Sequence, residues 1–286
     1  MNCVVTSQTA LSPQILDLRV KLPEKREILP GQFMLLYPED GARLLPRPIS
    51  VCEVLEEGKE QLVRMVYRIA GEGTKEFSRL TSGDALRMEG PRGNGFPLRP
   101  KEFSGKMPEV PLLIGGGIGL PPLVELSKQL AVRGAKPVAA AGYRDGNLFL
   151  AEDLARYAEV FPACEELTEQ TTEKHREDNR AEEAASVKER IRKPRKGNVL
   201  EVIRREELKA DVIYACGPMP MLKAVKELAL ERKIPAYVSL EERMACGMGV
   251  CLGCVAKTKD VDAHSGVRNA RVCVEGPVFE AAMLDL

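Results

Sequence analysis

The sequence contains no tryptophan, only two histidines among its 286 residues, and 5% aromatic residues in all. With histidine so scarce, chemistry that needs several imidazoles, either as bases or as metal ligands, has little support. Neither sign of charge is in excess, because 42 lysines and arginines balance 42 aspartates and glutamates. No long-range field therefore draws the chain to nucleic acid or to an anionic membrane, and we expect partners to be recognised locally.

Long apolar runs are also missing. The longest, residues 110–124, is interrupted by glycines and prolines and is too short to cross a bilayer. The N-terminal residues lack the basic segment and apolar stretch of a secretory signal. These absences predict a cytoplasmic protein with no membrane contact. The length suits two compact domains, or two with a small appendage.

The residue pattern of the sequence changes twice along the chain. Residues 1–100 show short alternating runs between turn signals, which predicts a small β-barrel with one helix at Thr74–Leu80 and Thr74 as its N-cap. The predicted barrel strands are Leu16–Leu22, Phe33–Tyr37, Ile49–Val54, Leu62–Ile69 and Ala85–Met88.

Residues 108–237 alternate strands with helices, which predicts an α/β nucleotide-binding domain. Strands are expected at 110–115, 137–143 and 211–216, and helices at Leu123–Val132, Glu152–Ala158 and Met219–Glu231. A charged insertion, 165–196, has few large apolar residues and is expected to be a solvated helix or a mobile segment. Residues 238–286 are rich in glycine and cysteine, which predicts a small domain ordered largely by a metal.

Four of the eight cysteines stand at a spacing typical of a metal site. Cys246, Cys251 and Cys254 form C-x4-C-x2-C, and Cys273 follows after eighteen residues. This resembles the plant-type [2Fe-2S] pattern. Structural zinc usually presents two short C-x2-4-C knuckles, and a redox C-x-x-C opens a helix after a strand, so both alternatives fit less well. In a reducing compartment a disulfide framework is also disfavoured.

Two glycine-containing turns each follow a predicted strand and precede a predicted helix. The first is Gly115, Gly116, Gly117, Ile118 and Gly119, followed by two prolines, and it departs from the G-x-G-x-x-G fingerprint. The second is Cys216, Gly217 and Pro218. Such turns let the backbone approach a pyrophosphate, although simple packing explains each of them almost as well. Together they suggest one crevice at the carboxyl ends of the strands.

Two short motifs in the barrel region suit a flavin dinucleotide. Arg47, Pro48, Ile49 and Ser50 offer a guanidinium for a pyrophosphate and a hydroxyl for an isoalloxazine ring, while Gly73 and Thr74 stand at a helix start. Each is short and common by itself, because an arginine before a strand is usually a surface charge and Gly-x-Gly-Thr is usually a capped turn.

The order of these motifs resembles the ferredoxin reductase-like flavoproteins over essentially the whole chain. Within that family, SLEERMACGMGVCLGC (Ser239–Cys254) resembles the electron-transfer subunits of type B dihydroorotate dehydrogenases. The resemblance implies FAD contacts, [2Fe-2S] ligands and NAD contacts. The implied FAD residues are Arg47, Pro48, Ile49, Ser50, Val66, Tyr67, Arg68, Gly73 and Thr74; the cluster ligands are Cys246, Cys251, Cys254 and Cys273; the NAD residues are Gly115, Gly116, Gly117, Gly119, Cys216, Gly217 and Pro218.

The resemblance also implies a partner, an FMN-containing dihydroorotate dehydrogenase catalytic subunit in a heterotetramer with two copies of each chain. Electrons would pass from that FMN through the [2Fe-2S] cluster and FAD to NAD+, in pyrimidine synthesis. No side chain here would act as acid or base on dihydroorotate, although Cys216 would lie near the nicotinamide. The alternatives are a subunit of an NAD(P)H–ferredoxin oxidoreductase or of a sulfide dehydrogenase, and a zinc-stabilised module without redox activity.

The sequence departs from the family pattern at the nucleotide end. Relatives usually carry a T-E-D-G-S-like segment where this chain has its charged insertion, and the gap between Cys254 and Cys273 is somewhat long. Arg144 favours a 2′-phosphate and Asp145 favours a free ribose, so these neighbours leave NAD and NADP undecided.

Overall fold

The computed structural model describes residues 1–167, 182–261 and 266–286. The chain forms two compact units. The barrel unit comprises Met1–Phe96, Ser239–Phe279 and Met283–Leu286, and the nucleotide unit comprises Pro97–Val238 and Glu280–Ala282. Across the described ranges, every helix is too short or too polar to span a membrane.

Six strands close the barrel in the order β1-β2-β5-β4-β3-β6. They are β1 (Asn2–Ser12), β2 (Ile15–Lys21), β3 (Phe33–Leu36), β4 (Arg47–Glu57), β5 (Glu60–Arg68) and β6 (Ala85–Arg92), with one helix, α1 (Glu72–Phe77), after β5. Alternate residues point inward, as a half-buried strand requires. On β5 these are Val63, Met65 and Tyr67, which join the apolar core with Leu18 of β2.

The predicted barrel is confirmed, with two differences. The sequence reading missed β1, because only Cys3 and Val5 of this strand are buried and its second half is mainly polar apart from Ala10 and Leu11. The prediction of Thr74 as N-cap is wrong. The N-cap is Gly71, in an extended conformation, and Thr74 is the third helical residue, which reaches back to the start of the helix.

The second sheet has seven strands in the order β10-β9-β8-β7-β11-β12-β15, and most of its residues belong to the nucleotide unit. The strands are β7 (Pro111–Gly116), β8 (Val138–Tyr143), β9 (Glu159–Cys164), β10 (Arg195–Lys196), β11 (Val212–Cys216), β12 (Ala236–Ser239) and β15 (Val278–Glu280). The helices are α2 (Pro121–Val132), α3 (Ala151–Ala155), α4 (Glu182–Glu189), α5 (Val199–Arg205) and α6 (Met219–Arg232). Pairs from β10 to β11 are parallel, so their carboxyl ends share one edge.

The predicted α/β alternation is confirmed, and the structure adds the strands β9, β10, β12 and β15 and the helix α5. Pro162 stands inside β9, where a proline argues against a strand in a sequence reading. Of the charged insertion, residues 168–181 lie outside the described part of the chain, and with them the position of the T-E-D-G-S-like segment. Residues 182–189 are helical, as expected for a solvated helix, and Arg195–Lys196 form the edge strand β10.

The C-terminal cysteine segment contains only short strands in its described residues. Besides β15, these are β13 (Val255–Lys257) and β14 (Asn269–Arg271), and β13 pairs with β14 in antiparallel fashion. Its residues from Ser239 to Phe279 belong to the barrel unit. Asn94 fastens it there, because its amide nitrogen donates to the carbonyls of Glu275 (2.9 Å) and Val278 (2.8 Å) and its oxygen accepts from the Val278 amide (3.0 Å).

Candidate cofactor and metal sites

The four predicted ligand cysteines lie as two thiol pairs. Cys246 hydrogen-bonds to Cys251, and Cys254 hydrogen-bonds to Cys273. Within the described residues, no group of three or more His, Cys, Asp and Glu side chains converges on one ion position. Two pairs match a [2Fe-2S] cluster held by four cysteines, in which two irons share the four thiolates. Cys251 is exposed, whereas Cys254 and Cys273 are each 2% exposed.

Backbone amides point at the sulfurs of the first pair. The Met248 amide donates to Cys246 Sγ and the Gly253 amide donates to Cys251 Sγ, both at 3.4 Å. The amides of Met248 and Cys251 lower the pKa of Cys246 to about 6, which favours the thiolate that binds iron. Burial instead raises the pKa of Cys273 to about 12. The loop turns through positive φ at Gly247 (+65°) and Gly249 (+83°), where glycine is unstrained.

The cysteine loop touches the barrel strand that adjoins the R-P-I-S motif. A Cβ on Gly247 would lie 2.6 Å from Leu35 Cδ2, so only glycine allows this approach. Leu35 belongs to β3 and is the register partner of Pro48 on β4. Gly247, Leu35 and Pro48 therefore connect the cluster loop with the predicted flavin motif inside one compact unit.

Arg47 of the predicted FAD site lies against the start of α1. A Cβ on Gly73 would lie 2.7 Å from Arg47 Nε and 2.9 Å from its Cζ, so the glycine leaves room for the guanidinium. Arg47 Nη1 donates to the Leu45 carbonyl at 2.8 Å. A guanidinium carries five N–H donors, more than this bond uses. The structure thus brings Arg47 and Gly73, 26 positions apart in sequence, into one cradle suited to a phosphate.

The ends of β4 and β5 diverge beside this cradle. The β4–β5 ladder starts at Val51–Met65, whereas Arg47–Ser50 pair with β3 and Val66–Arg68 pair with β2. Arg47–Ser50 and Val66–Arg68 therefore lie on the two sides of the opening where β4 and β5 are not paired with each other. The side chain of Tyr67 is buried in the core, where its hydroxyl donates to Gln8 Oε1 at 2.9 Å, so it offers this opening only its backbone.

Thr74 is buried and bonded to its own turn. Its Oγ1 accepts from the amides of Ala70 (2.9 Å) and Gly71 (3.1 Å) and donates to the Gly71 carbonyl (2.9 Å). These bonds fix the Gly71–Thr74 turn beside Arg47. The Thr74 hydroxyl is therefore engaged within its own turn, and Thr74 contributes to the cradle by holding the backbone in place.

The two predicted nucleotide turns lie side by side in the nucleotide unit. β7 and β11 are neighbours, with Gly115 opposite Cys216. A Cβ on Gly119 would lie 2.1 Å from the Cys216 carbonyl oxygen, and one on Gly116 would lie 3.0 Å from Pro218 Cδ. The strand order also reverses between β7 and β11, which is where open α/β sheets bind ligands. Cys216 is 9% exposed at this edge.

Sequence reasoning missed two charged residues beside the cluster ligands. Arg271 and Glu275 flank Cys273 at two positions on either side and form a partly buried ion pair. The signal was present in the sequence as opposite charges four residues apart around a ligand. Such pairs are common on surfaces, and only the structure shows that this one reaches the cysteine loop.

The sequence matches three protein-family models that together follow this layout. An oxidoreductase FAD-binding domain matches residues 2–96, an oxidoreductase NAD-binding domain matches residues 113–227, and the iron-sulfur cluster binding domain of dihydroorotate dehydrogenase B matches residues 241–285. The chain is thus a ferredoxin reductase-like oxidoreductase with FAD-binding, NAD-binding and iron–sulfur domains.

Full-length relatives narrow this class. The chain is 36% identical over 286 residues to the dihydroorotate dehydrogenase B (NAD(+)) electron transfer subunit of Streptococcus mutans, covering 100% of this chain and 98% of the relative. It is 37% identical over 276 residues to the protein of the same name in Lysinibacillus sphaericus, covering 96% and 94%. The chain belongs to the family of dihydroorotate dehydrogenase B electron transfer subunits.

Solved structures agree on the fold. The NADH-dependent reduced ferredoxin-NADP oxidoreductase, described for flavin-based electron bifurcation, superposes with a TM-score of 0.76 at 23% identity, covering 99% of this chain and 89% of that chain. A ferredoxin NADP+ reductase from Neisseria gonorrhoeae gives a TM-score of 0.59 at 16% identity, covering 81% and 90%. The predicted ferredoxin reductase-like fold is confirmed.

The residues present fit the cofactors of the family. The paired thiols with amides directed at sulfur suit a [2Fe-2S] cluster. The cradle between Arg47 and Gly73 suits a pyrophosphate, and the turn packed at Gly119 suits a dinucleotide. FAD, a [2Fe-2S] cluster and NAD are therefore the cofactors and substrate of this family member.

Replacing Arg47 by alanine is expected to weaken FAD retention. The lost charged hydrogen bonds correspond to roughly 1.5–3 kcal/mol, or about 10- to 100-fold in the dissociation constant. Flavin content after gel filtration and a fluorescence titration of the apoprotein with FAD measure this. Arg19→Ala, an exposed arginine on β2, is the control. Unchanged flavin affinity in Arg47→Ala would remove this residue from the site.

Proposed function

We propose that this chain is the electron transfer subunit of an NAD-dependent dihydroorotate dehydrogenase. In this role it passes electrons from the FMN of a catalytic partner, by way of its [2Fe-2S] cluster and FAD, to NAD+ in pyrimidine (UMP) synthesis. The relatives in Streptococcus mutans and Lysinibacillus sphaericus, whose full lengths the chain covers, support this role by their names.

One structural observation carries the proposal. The loop with Cys246, Cys251 and Cys254 touches Leu35 through Gly247, and Leu35 is paired with Pro48 of the predicted flavin motif. Electron transfer requires two redox groups to be held close together. A cluster segment that folds as part of the barrel unit meets this requirement without any motion of the nucleotide unit.

The bound cofactors supply the redox chemistry, since a flavin exchanges single electrons as well as hydride and the cluster exchanges single electrons. The residues of this chain bind and orient these cofactors. Arg47 neutralises the charge of the FAD pyrophosphate, and Gly73 leaves room for the Arg47 guanidinium because it has no side chain. The backbone amides of Met248 and Gly253 stabilise negative charge on the cysteine sulfurs. No side chain is assigned to proton transfer on dihydroorotate.

The assignment of individual residues forms part of the proposal. We assign Arg47, Pro48, Ile49, Ser50, Val66, Tyr67, Arg68, Gly73 and Thr74 to FAD, with Tyr67 acting through its backbone; Gly115, Gly116, Gly117, Gly119, Cys216, Gly217 and Pro218 to NAD; and Cys246, Cys251, Cys254 and Cys273 to the cluster. We likewise propose three functional regions, 1–100, 108–237 and 238–286, the last folding on the first.

The proposed partner is an FMN-containing dihydroorotate dehydrogenase catalytic subunit, in a cytoplasmic heterotetramer with two copies of each chain. The phrase "electron transfer subunit" in the relatives' names supports a catalytic partner. Co-purification from the native host, with metal and flavin analysis, tests this. We expect iron, sulfide and FAD in this chain and FMN in the co-purifying one. Co-purification with an iron–sulfur-rich flavoprotein would instead favour a ferredoxin oxidoreductase, and a colourless zinc protein would refute both.

Acidic residues at the ends of β8 and β9 favour NAD over NADP. Asp145 accepts from the Asn147 amide (2.9 Å), and Glu166 donates its amide to the Arg144 carbonyl (2.8 Å) while its carboxylate faces Arg144 Nε (3.5 Å). Glu165 lies beside them and donates its amide to the Tyr143 carbonyl. Three carboxylates against one guanidinium repel a 2′-phosphate at the strand edge where the adenosine ribose binds.

We therefore expect NADH to be preferred to NADPH, and Glu166→Lys to raise the NADPH to NADH ratio of kcat/KM by about tenfold, because it frees Arg144 and adds a cation. Steady-state reduction of ferricyanide with each nucleotide measures this ratio. Glu159→Lys, at the opposite end of β9 where Glu159 pairs with Arg192, is the matched control. If both variants leave the ratio at the wild-type value, this edge does not select the nucleotide.

A further inference from the structure

The cluster ligands come from two separate segments of the chain, and these segments must be held in a fixed position relative to each other. Cys246, Cys251 and Cys254 stand in one loop, and Cys273 stands in the turn after β14. The β13–β14 ladder joins the segments beside Cys254, where the Val272 amide donates to the Cys254 carbonyl at 2.8 Å. The outer part of the loop, around Gly249, lies beyond that ladder.

Arg271 builds the turn that presents Cys273. Its carbonyl accepts from the amides of Val274 (3.0 Å), Glu275 (2.9 Å) and Gly276 (3.3 Å). Its own amide donates to Glu275 Oε2 at 2.7 Å. The two residues that flank Cys273 thus close the turn through both backbone and side chain.

The guanidinium of Arg271 also crosses to the cysteine loop. Nη1 donates to the Gly249 carbonyl at 3.1 Å, while Nε donates to both carboxylate oxygens of Glu275 at 3.0 and 3.1 Å. Nη2 of Arg271 also donates to Glu275 Oε1. A Cβ on Gly249 would lie 2.5 Å from Val274 Cγ2, so loop and turn touch at this glycine. Gly249 lies in the loop between Cys246 and Cys251.

We propose that Arg271, aligned by Glu275, is the positioning residue of the [2Fe-2S] site. It ties the Cys273 turn to the Cys246–Cys251 loop and places a fixed positive charge next to the cluster. The proposal concerns cluster retention and potential, and it needs the cluster but not a particular catalytic partner.

Two physical effects follow from this arrangement. The Arg271 guanidinium keeps its positive charge at every accessible pH, and its bidentate pairing with the Glu275 carboxylate is rigid, so the link resists opening of the ligand loop. A cluster with four thiolates gains negative charge on reduction, and a nearby cation stabilises the reduced form. Residues that orient metal ligands typically contribute about 10- to 100-fold to metal affinity.

The experiment compares full-length variants purified without oxygen, with FAD bound. Readouts are the midpoint potential of the cluster, from a titration followed by electron paramagnetic resonance, and the rate of iron release to a chelator. Arg271→Gln is expected to release iron about tenfold faster than wild type and to have a lower potential. Glu275→Gln leaves the arginine uncompensated and is expected to raise the potential, also with faster release.

Two further variants separate charge from geometry. Arg271→Lys keeps the charge and loses the bidentate link, so we expect a potential near the wild-type value with faster iron release. Arg192→Gln, which breaks an arginine–glutamate pair in the nucleotide unit, is expected to change neither readout. Flavin content at the wild-type level shows that a variant has folded.

Opposite shifts of potential in Arg271→Gln and Glu275→Gln support the proposal, because a purely structural role would move both in one direction or neither. Shifts of the same sign, or wild-type iron release in Arg271→Gln, overturn it. If Arg271→Gln retains FAD but no iron, the positioning role stands, and the potentials of Arg271→Lys and Glu275→Gln decide the electrostatic role. None of these outcomes depends on dihydroorotate or the partner, so failure of the proposed function would show separately.

Discussion

Replacing Cys251 by serine is expected to abolish the [2Fe-2S] cluster while FAD stays bound and NADH still reduces an artificial acceptor. Cys251 is the exposed member of the Cys246–Cys251 pair, so its loss removes a ligand without opening the barrel core. The predicted FAD contacts at Arg47 and Gly73 belong to β4 and α1, which are elements other than the loop that holds Cys251.

Visible absorption, iron content and electron paramagnetic resonance measure the cluster in this variant, and ferricyanide reduction measures the flavin and nucleotide sites. Cys3→Ala, which removes a thiol buried in the barrel core, is the control and should keep the cluster. With the partner present, electron exchange between NADH and FMN should be lost in Cys251→Ser. If the partner's FMN were reduced as fast as in wild type, the proposed order of electron transfer would be wrong.

Replacing Gly119 by alanine is expected to disable the nucleotide site and leave the cluster intact. The new Cβ would lie 2.1 Å from the Cys216 carbonyl oxygen and 2.7 Å from the Gly217 nitrogen, both backbone atoms that cannot rotate away. The two turns must separate, which costs about 1–3 kcal/mol of stability. A misplacement of about 1 Å lowers turnover by roughly 100-fold.

Ferricyanide reduction by NADH and the thermal unfolding midpoint measure the effect of Gly119→Ala. Gly41→Ala is the matched control, since no atom lies within 4 Å of a Cβ there. Gly116→Ala is a milder companion, because its nearest neighbour is the flexible Met221 sulfur at 2.9 Å. Wild-type kcat and KM in folded Gly119→Ala would exclude this turn from the nucleotide site.

Local patterns predicted much of the fold. The glycine turn after β7 and the C-G-P turn after β11 were placed on strands by their apolar runs, and their adjacency followed from the rule for parallel sheets. β1 and β9 were missed for local reasons, polar residues in the first and Pro162 in the second. Tertiary pairing outweighs both signals, and a single sequence does not display such pairing.

The sequence predicts candidate site residues one by one, but it does not predict how they are arranged. The cysteine spacing indicated iron and sulfur, yet nothing in the sequence placed Gly247 against Leu35, or Leu35 beside Pro48. That contact joins residues more than 200 positions apart. Thr74 shows that a local pattern can also mislead. It has the side chain of an N-cap residue, but it is the third residue of the helix and its hydroxyl accepts from the amide of Gly71. Only the fold reveals these distances.

In the proposed function, this chain carries electrons between a dihydroorotate-oxidising partner and NAD+. Dihydroorotate-dependent formation of NADH, measured for the partner alone and for the complex with this chain, tests it most directly. We expect the complex to reduce NAD+, the partner alone to oxidise dihydroorotate only with an artificial acceptor, and the complex with Cys251→Ser to form no NADH. Equal NADH formation with and without this chain would contradict it.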